Sequence, residues 1–359
     1  MIIKGRTMEE AYYNAINKVL VYGEEVSPRG SKTKELAPAT IVIEDATRPL
    51  AAPHSRKINP CFGLAETLWF LRGSNDLEEI AHYNSVWRYF EDCDNKGILN
   101  GAYGKRIRNW NGTDDYPGVD QLLECYKKLK KDPYTRQAII IIYNPELDNK
   151  IHCHGGYSKD IPCTSYFNFQ IRDGKLNMHT VMRSNDLHKG FIYDVHNFMI
   201  IQNILAGWLE VEVGKYTHTA SSLHIYESDI KNMFDCLDDK DIYNRYHVYT
   251  GESNVLDMRL NINDFAIVFK DVCIVEECSR GLIEEKDSSR IMESIINNCY
   301  NRILEIEKLS PYWASTAACF LVYNMRKAKI GKFAWQPITD RFIINEYKPL
   351  FDKLSDLSK

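Results

Sequence analysis

The hydrophobic positions of this chain change period several times, and each change marks an element. Met8, Ala11, Tyr12, Ala15, Ile16, Val19 and Leu20 recur at three and four residues, which predicts an amphipathic helix over residues 8–23 closed by Gly23. A polar loop containing Pro28 and Gly30 follows, and the β-branched run Ala39–Ile43 then predicts a strand. Residues 60–72 and 76–84 read as helices broken at Gly73. Val119–Lys131 reads as another, with Val119, Leu122, Leu123, Tyr126 and Leu129 on one face and Pro133 beyond its end. Ala138–Tyr143 reads as a buried strand. From Ser165 to Arg172 the period is two, with Phe167, Phe169 and Ile171 on one face. Asp173-Gly174 is then a two-residue turn signal, predicting a hairpin into Lys175–Met182. An apolar helix at 191–207 and two short strands within 215–226 complete an alternating pattern.

After residue 230 the character changes. Asp238–Asp241 and Thr250–Asn254 read as surface loops and Ala266–Val275 as a strand, while Ile291, Met292, Ile295, Ile296, Cys299, Ile303 and Leu304 fall at helical spacing. Trp313–Lys327 reads as a further helix. The expected fold class is therefore α/β (α+β), a large mixed sheet covered by helices. The expected organisation is a catalytic domain at 1–230 and a mainly helical extension at 231–359.

Composition narrows the class of molecule. With 359 residues, 44% hydrophobic and 26% charged, the chain can bury a full core, which excludes disordered and collagen-like classes. No apolar run reaches the ~18 residues of a spanning helix. The formal net charge of −4 gives no general attraction to nucleic acid or acidic membrane, so any phosphate binding must come from local arginines. Ten cysteines contain no CxxC pair, and the opening residues carry no basic-then-apolar segment. The expectation is a cytoplasmic protein with free thiols.

A thiol following a Gly/Pro-containing loop at a strand edge can be held rigidly in a cleft, and nearby arginines would favour its thiolate. Cys163, after Gly155-Gly156 and Pro162, meets that description, although as one of ten cysteines it is equally placed to be inert. Arg183-Ser184-Asn185-Asp186 ends the second hairpin strand and so returns to the Cys163 end of the first; a guanidinium and a hydroxyl make a phosphate grip. Arg29 and Arg136 are further candidates. His224 and Tyr226, alternate residues of a short strand, share a face from which they could bond a sugar hydroxyl. His152-Cys153-His154, with Cys163 nine residues on, matches no common zinc spacing and reads as a loop; no metal is expected.

Together these segments resemble the thymidylate synthase family from the first helix to about residue 230. The motifs, in order, are Glu66-Thr67-Leu68-Trp69-Phe70-Leu71-Arg72-Gly73, Val86-Trp87, Gly101-Ala102-Tyr103-Gly104, Pro133-Tyr134-Thr135-Arg136, Asn144-Pro145, Ile161-Pro162-Cys163, Arg183-Ser184-Asn185-Asp186 and His224-Ile225-Tyr226. The resemblance implies a cysteine that attacks C6 of a pyrimidine nucleoside monophosphate, and 5,10-methylenetetrahydrofolate as the one-carbon co-substrate. By position it makes Cys163 the nucleophile, Glu66 the acid that manages protons, and Tyr103 a cavity wall. Arg29, Arg183 and Ser184 would hold the phosphate, Asn168 would replace a substrate-site glutamine, and His224 with Tyr226 would meet the sugar. Asp186 and Trp87 would face the folate. Arg136 would reach the phosphate site of a second subunit, which implies a homodimer; no nucleic-acid or membrane partner is implied.

The departures from the family pattern carry the specificity argument. Where thymidylate synthases have Pro-Phe-Asn, this chain has Ile192-Tyr193-Asp194. A carboxylate opposite a carbonyl O4 sets acceptor against acceptor, whereas cytosine offers a 4-amino donor and an N3 that can share a proton with an acid. The same exchange marks the deoxycytidylate and cytidylate 5-hydroxymethylases. The expected activity is hydroxymethyl transfer to C5 of dCMP or CMP, with methylation of dUMP as the alternative. Thr164 replaces a histidine and Gln137 an arginine, leaving Lys32, Lys34, Lys105 or Arg106 as substitute phosphate donors. The apolar tail that closes over folate in synthases is not recognisable in Asp352–Lys359.

Overall fold

The computed structural model describes residues 1–53, 55–111, 117–238, 256–284, 289–344 and 347–353. The loop readings at Thr250–Asn254 and beyond Asp238, and that of the tail from Leu354, lie outside the described residues. The chain forms two compact units, Met1–Arg56 with Ala65–Arg245, and Lys57–Leu64 with Tyr246–Lys359.

The first unit is built on a six-stranded sheet. In chain order its elements are β1 (Ile2–Gly5), α1 (Met8–Tyr22), β2 (Glu24–Val26), β3 (Thr33–Leu36), β4 (Ala39–Ile43), α2 (Pro60–Arg72, from Ala65 onward in this unit), α3 (Leu77–Ala81), α4 (Tyr103–Arg108), α5 (Gln121–Lys131), β5 (Ile139–Ile141), α6 (Pro145–Asp148), β6 (Thr164–Arg172), β7 (Lys175–Met182), β8 (Asn185–Asp186), α7 (Phe191–Leu209), β9 (Glu212–Ala220), β10 (Leu223–Tyr226) and α8 (Ile230–Asp238). The large sheet runs β1-β4-β9-β7-β6-β5, and a second sheet runs β2-β3-β10-β8. Pairs β1/β4 and β7/β9 are parallel and β4/β9, β6/β7 and β5/β6 antiparallel, so the large sheet is mixed.

The hairpin β6–β7 turns on Asp173 (φ 52°) and Gly174 (φ 71°), both left-handed as this two-residue turn requires. The predicted face is the buried one, with Phe167 and Phe169 fully enclosed. Against it lies α7, buried at every residue from Val195 to Leu209. A helix buried all round must satisfy its own polar side chains. Gln202 donates to the Leu176, Gly214 and Lys215 carbonyls, and Asn203 to those of Ala46 and Met199. These bonds fix the rotation of α7 and therefore where its first turn points.

Three readings within this unit are corrected by its fold. Ala138–Tyr143 is not a wholly buried strand: β5 is the sheet edge, and Ile139 and Ile141 are 40% and 41% exposed while Ala138, Ile140 and Ile142 are enclosed. The helix expected from Val119 begins at Gln121, because Asp120 caps it by accepting from Leu123 N–H and Val119 pairs with Trp110 instead. Two of the ten cysteines are not free thiols, since the loops at Cys93 and Cys153 meet and their sulfurs form a disulfide.

The second unit is helical, with helices Ile262–Glu284, Ser289–Leu309, Pro311–Lys327, Lys332–Phe342 and Lys348–Lys353. The strand expected at Ala266–Val275 is part of the first of these. Phe265, Val268, Val272, Val275, Glu276, Ser279 and Leu282 are its buried residues, so packing at helical spacing overrides the β-branched preference of the run. Among the described residues no helix is long and apolar enough to cross a membrane.

Candidate active site

Cys163 sits immediately before β6, and the start of the following strand pair holds it. The Arg183 N–H donates to the Cys163 carbonyl at 2.8 Å, while the Arg183 guanidinium donates to the carbonyls of Pro162 (3.0 Å) and Ile161 (2.9 Å). One arginine therefore clamps the backbone of the Ile161-Pro162-Cys163 motif. The next residue, Thr164, donates its N–H to the Tyr103 hydroxyl at 3.2 Å. Burial pushes the Cys163 thiol up; Arg183 and Arg29 pull it down, against Asp194 and Asp160, which raise it. Arg29 occupies a left-handed turn residue (φ 53°) between Pro28 and Gly30 and is exposed.

Tyr103 starts α4 in the Gly-Ala-Tyr-Gly motif, and the two glycines explain the motif. A Cβ on Gly101 would lie 2.6 Å from the Asp160 carbonyl, and one on Gly104 2.5 Å from the Trp69 carbonyl. Only glycine lets α4 press against α2 and the loop before Cys163. The Tyr103 ring then meets Phe70 at a tilt (5.4 Å) and stacks on Phe198 (6.3 Å), and burial holds its hydroxyl well above the usual phenol range.

Two carboxyl groups complete the cluster. Glu66 on α2 is buried, which pushes it up to about 8 with a further contribution from Asp194; the Asn197 amide, donating to Oε2 at 2.6 Å, opposes this. Asn197 in turn accepts from Thr67 Oγ1 at 2.7 Å. Asp194, in the first turn of α7, is pushed up to about 7, chiefly by burial and secondarily by Asp186, against a hydrogen bond from Asn185. Asn185 also donates to Met182 Sδ and meets His218 Nε2, both at 3.1 Å, and His218 Nδ1 meets the Tyr216 hydroxyl at 3.0 Å. Cys163, Tyr103, Glu66 and Asp194 thus act on one another, a nucleophile beside weak acids with raised pKa values.

The remaining candidates lie around this group or away from it. Asp186 Oδ1 accepts from the His188 (2.7 Å) and Lys189 (3.3 Å) N–H groups and shapes the turn into α7. His224 is paired with Asp186 in β10, and its ring meets Tyr226 edge-on at 5.2 Å. Ser184 is half-buried between Arg183 and Asn185. Trp87 packs on Trp69 at 5.8 Å, one turn along α2 from Glu66. Asn168 is not with the cluster: it alternates with Phe167 and Phe169 and so faces the other side of the sheet. Arg136 is exposed on the segment leading into β5. Arg106 is corrected as a phosphate donor. It is buried and paired with Asp148 through both terminal nitrogens (2.7 and 2.6 Å), and it also bonds the Ile142 and Asn100 carbonyls.

Asn185 and Asn197 were not singled out from the sequence, although signals existed. Asn197 is three residues from Asp194 and therefore on its helix face, and Asn185 lies inside the Arg-Ser-Asn-Asp motif.

Known proteins are similar to this chain in sequence. A sequence model of thymidylate synthase matches residues 10–268. The deoxyuridylate hydroxymethyltransferase of Bacillus phage SP01 is 38% identical over 231 residues, covering 63% of this chain and 58% of the phage protein. The chain thus matches little more than half the length of that relative. The "Putative thymidylate synthase" of Methanosarcina barkeri and its namesake in Methanosarcina mazei are each 28% identical over 229 residues, covering 64% of this chain and 90% of theirs.

Proposed function

The chain belongs to the thymidylate synthase family, and on that footing we propose that it transfers a hydroxymethyl group to C5 of a cytosine nucleotide, dCMP or CMP. The observation that carries the reading is the buried Asp194 carboxyl in the first turn of α7, electrostatically coupled to Cys163 and Glu66. Its pKa of about 7 suits sharing a proton with cytosine N3 while the other oxygen accepts from the 4-amino group. In its ionised form the carboxyl meets uracil O4 acceptor against acceptor, so that base leaves buried polar groups unpaired.

In this reading Cys163 attacks C6 as the thiolate, which burial disfavours and Arg183 and Arg29 partly recover, and C5 becomes the carbon nucleophile. 5,10-Methylenetetrahydrofolate supplies the one-carbon unit. The residues that would hold it are Asp186, an acceptor for amino donors, and Trp87, a half-buried aromatic face; this donor set fits an amino-substituted ring. Glu66, protonated at neutral pH, relays protons to and from the pyrimidine, with Asn197 fixing the carboxyl. Loss of the C5 proton with cleavage of the carbon–nitrogen bond would release tetrahydrofolate unoxidised and leave an exocyclic methylene at C5; water then adds to that methylene and Cys163 leaves C6. Tyr103 walls the cavity. Arg29, Arg183 and Ser184 hold the phosphate, His224 and Tyr226 the sugar, and Arg136 serves a second subunit's phosphate site. Asn168, on the other sheet face, would act there too only through the dimer. The catalytic part is placed at 1–230, with 231–359 as an extension.

A second reading is hydroxymethylation of dUMP, favoured by the name of the phage relative and by the same raised pKa. A neutral carboxyl can donate to O4 and accept from N3–H. Incubation with methylenetetrahydrofolate and each of dCMP, CMP and dUMP, followed by mass spectrometry, separates the readings. A hydroxymethylated cytosine nucleotide without dihydrofolate is expected. Turnover of dUMP alone overturns the cytosine assignment, and dihydrofolate absorbance with dUMP identifies a methylating synthase.

A further inference from the structure

Outside the catalytic cluster, two tripeptides of complementary chemistry face each other. Asp92-Cys93-Asp94 and His152-Cys153-His154 come from loops 60 residues apart and bring the cysteine Cα atoms to 6.3 Å. Ligand atoms of Cys93, Asp94 and Cys153 lie within 4.8 Å of one another. The surroundings are ordered around them. His152 Nδ1 bonds Asp94 Oδ1 at 2.7 Å, and His154 Nε2 lies 3.5 Å from Asp92 Oδ1. Asp92 accepts from Ser158 Oγ and from the Lys159 N–H. The His152 side chain is 1% exposed, and its Nε2 has no partner.

The structure joins the two sulfurs, and a disulfide asks nothing of its neighbours. Here both cysteines are flanked on each side by carboxylates or imidazoles, and one carboxylate is oriented by a histidine, the arrangement that supports a metal ligand. In the reduced chain two thiols and the Asp94 carboxylate crowd one another, and a divalent cation relieves that crowding. We propose that the reduced protein binds one zinc ion through Cys93, Cys153 and Asp94, with the fourth position taken by His154 or water. Thiolate ligands select zinc over magnesium or calcium. The clasp ties the loop following Trp87 to the segment that leads, through Pro162, to Cys163. Sequence spacing concealed it because Cys93 and Asp94, two of the three ligands, come from the distant Cys93 loop.

The test uses the full chain purified under reductant. Zinc content is measured by mass spectrometry, affinity by competition with a chromogenic chelator, and cobalt substitution by its thiolate charge-transfer absorption. The expected result is about one zinc per chain, lost in Cys93→Ser/Cys153→Ser with Cys163 intact, and a thiolate–cobalt band in the parent. Asp94→Ala keeps both thiols and should weaken binding by roughly 10-fold or more. It keeps the proposal testable if the double variant fails to fold. Reduced protein that takes up neither zinc nor cobalt overturns the proposal, as does zinc retained by a folded double variant or zinc affinity unchanged in Asp94→Ala.

Discussion

Asp194 and Asn197 sit three residues apart on one face of α7 and divide the proposed chemistry between them, one facing the base and the other fixing the proton-handling acid. Replacing Asp194 with Asn restores the donor–acceptor pair that suits uracil, so Asp194→Asn should shift the kcat/KM ratio toward dUMP by about 10-fold or more. Competition between dCMP and dUMP reads this, and an unchanged ratio removes Asp194 from base selection. Asn197→Ala deletes a hydrogen bond to the neutral Glu66 carboxyl, about 0.5–1.5 kcal/mol, equivalent to roughly 2- to 12-fold in kcat if all of it is felt in the transition state. Since the amide holds the Glu66 pKa down, its loss should also move the pH at which Glu66 gives up its proton upward. A kcat–pH profile that falls in height without moving would indicate a packing role only. Cys163, Glu66 and Asp194, which the structure couples electrostatically, were legible because each lies in a motif or at a departure from one. The sequence did not carry Asn185–His218 or Asn197–Glu66, which arise where segments 33 and 131 residues apart meet.

At the scale of elements, local chemistry was legible where it was self-sufficient. The β6–β7 hairpin needs only alternation and a turn, and Asp173-Gly174 supplies both left-handed residues. A Cβ on Gly174 would touch nothing within 4 Å, so Gly174→Ala isolates the backbone cost. It should lower stability by about 1–2 kcal/mol, read from the urea midpoint at constant slope. No change in midpoint would show that the turn relaxes to another type. Periodicity failed where tertiary packing decides between states. Ala266–Val275 is apolar and β-branched enough for a strand, and nothing local reveals that its neighbours are helices. The edge position of β5 was equally invisible, because strand order is a property of the sheet rather than of the run Ala138–Tyr143.

The whole molecule holds several buried acids and histidines whose linkage to pH has opposite signs. Burial raises Glu9 and Asp194 to about 7, Asp160 to about 6 and Glu66 to about 8, so the native state holds protons that the unfolded chain has released. That stability is complete below the ordinary carboxylate range and is lost as pH rises through the folded values. His196 and His218, lowered by burial to about 4 and about 3, act oppositely, but only below the ordinary histidine pKa. Between about pH 6.5 and 8.5 the acids act alone, so stability should fall by up to ~1.4 kcal/mol per pH unit for each titrating group. Glu9→Gln, which lies outside the proposed site, should show a smaller fall across that window by denaturant titration. An identical fall in the variant would mean that Glu9 is not buried as a neutral acid.

The proposed dimer is also a property of the whole molecule. The face of the large sheet opposite α7 carries Thr40, Val42, Tyr166, Asn168, His179, Val181, Thr217 and Thr219, which are half-buried rather than open. Exposed Arg136 precedes the edge strand of the same sheet. If two copies pair through this face and Arg136 of each completes the other's phosphate site, the loss of Cys163 and the loss of Arg136 must complement. Cys163→Ala and Arg136→Ala should each be inactive, yet a mixture allowed to exchange subunits contains hybrids in which one site holds both an intact cysteine and an intact arginine. With free exchange half of the dimers are hybrids with one working site of two, so roughly a quarter of wild-type activity should return. Val181→Glu, a charge placed on the apolar part of the face, should convert the dimer to monomer by analytical ultracentrifugation and abolish the recovery. Hybrids that form without regaining activity would show that each copy builds its phosphate site alone.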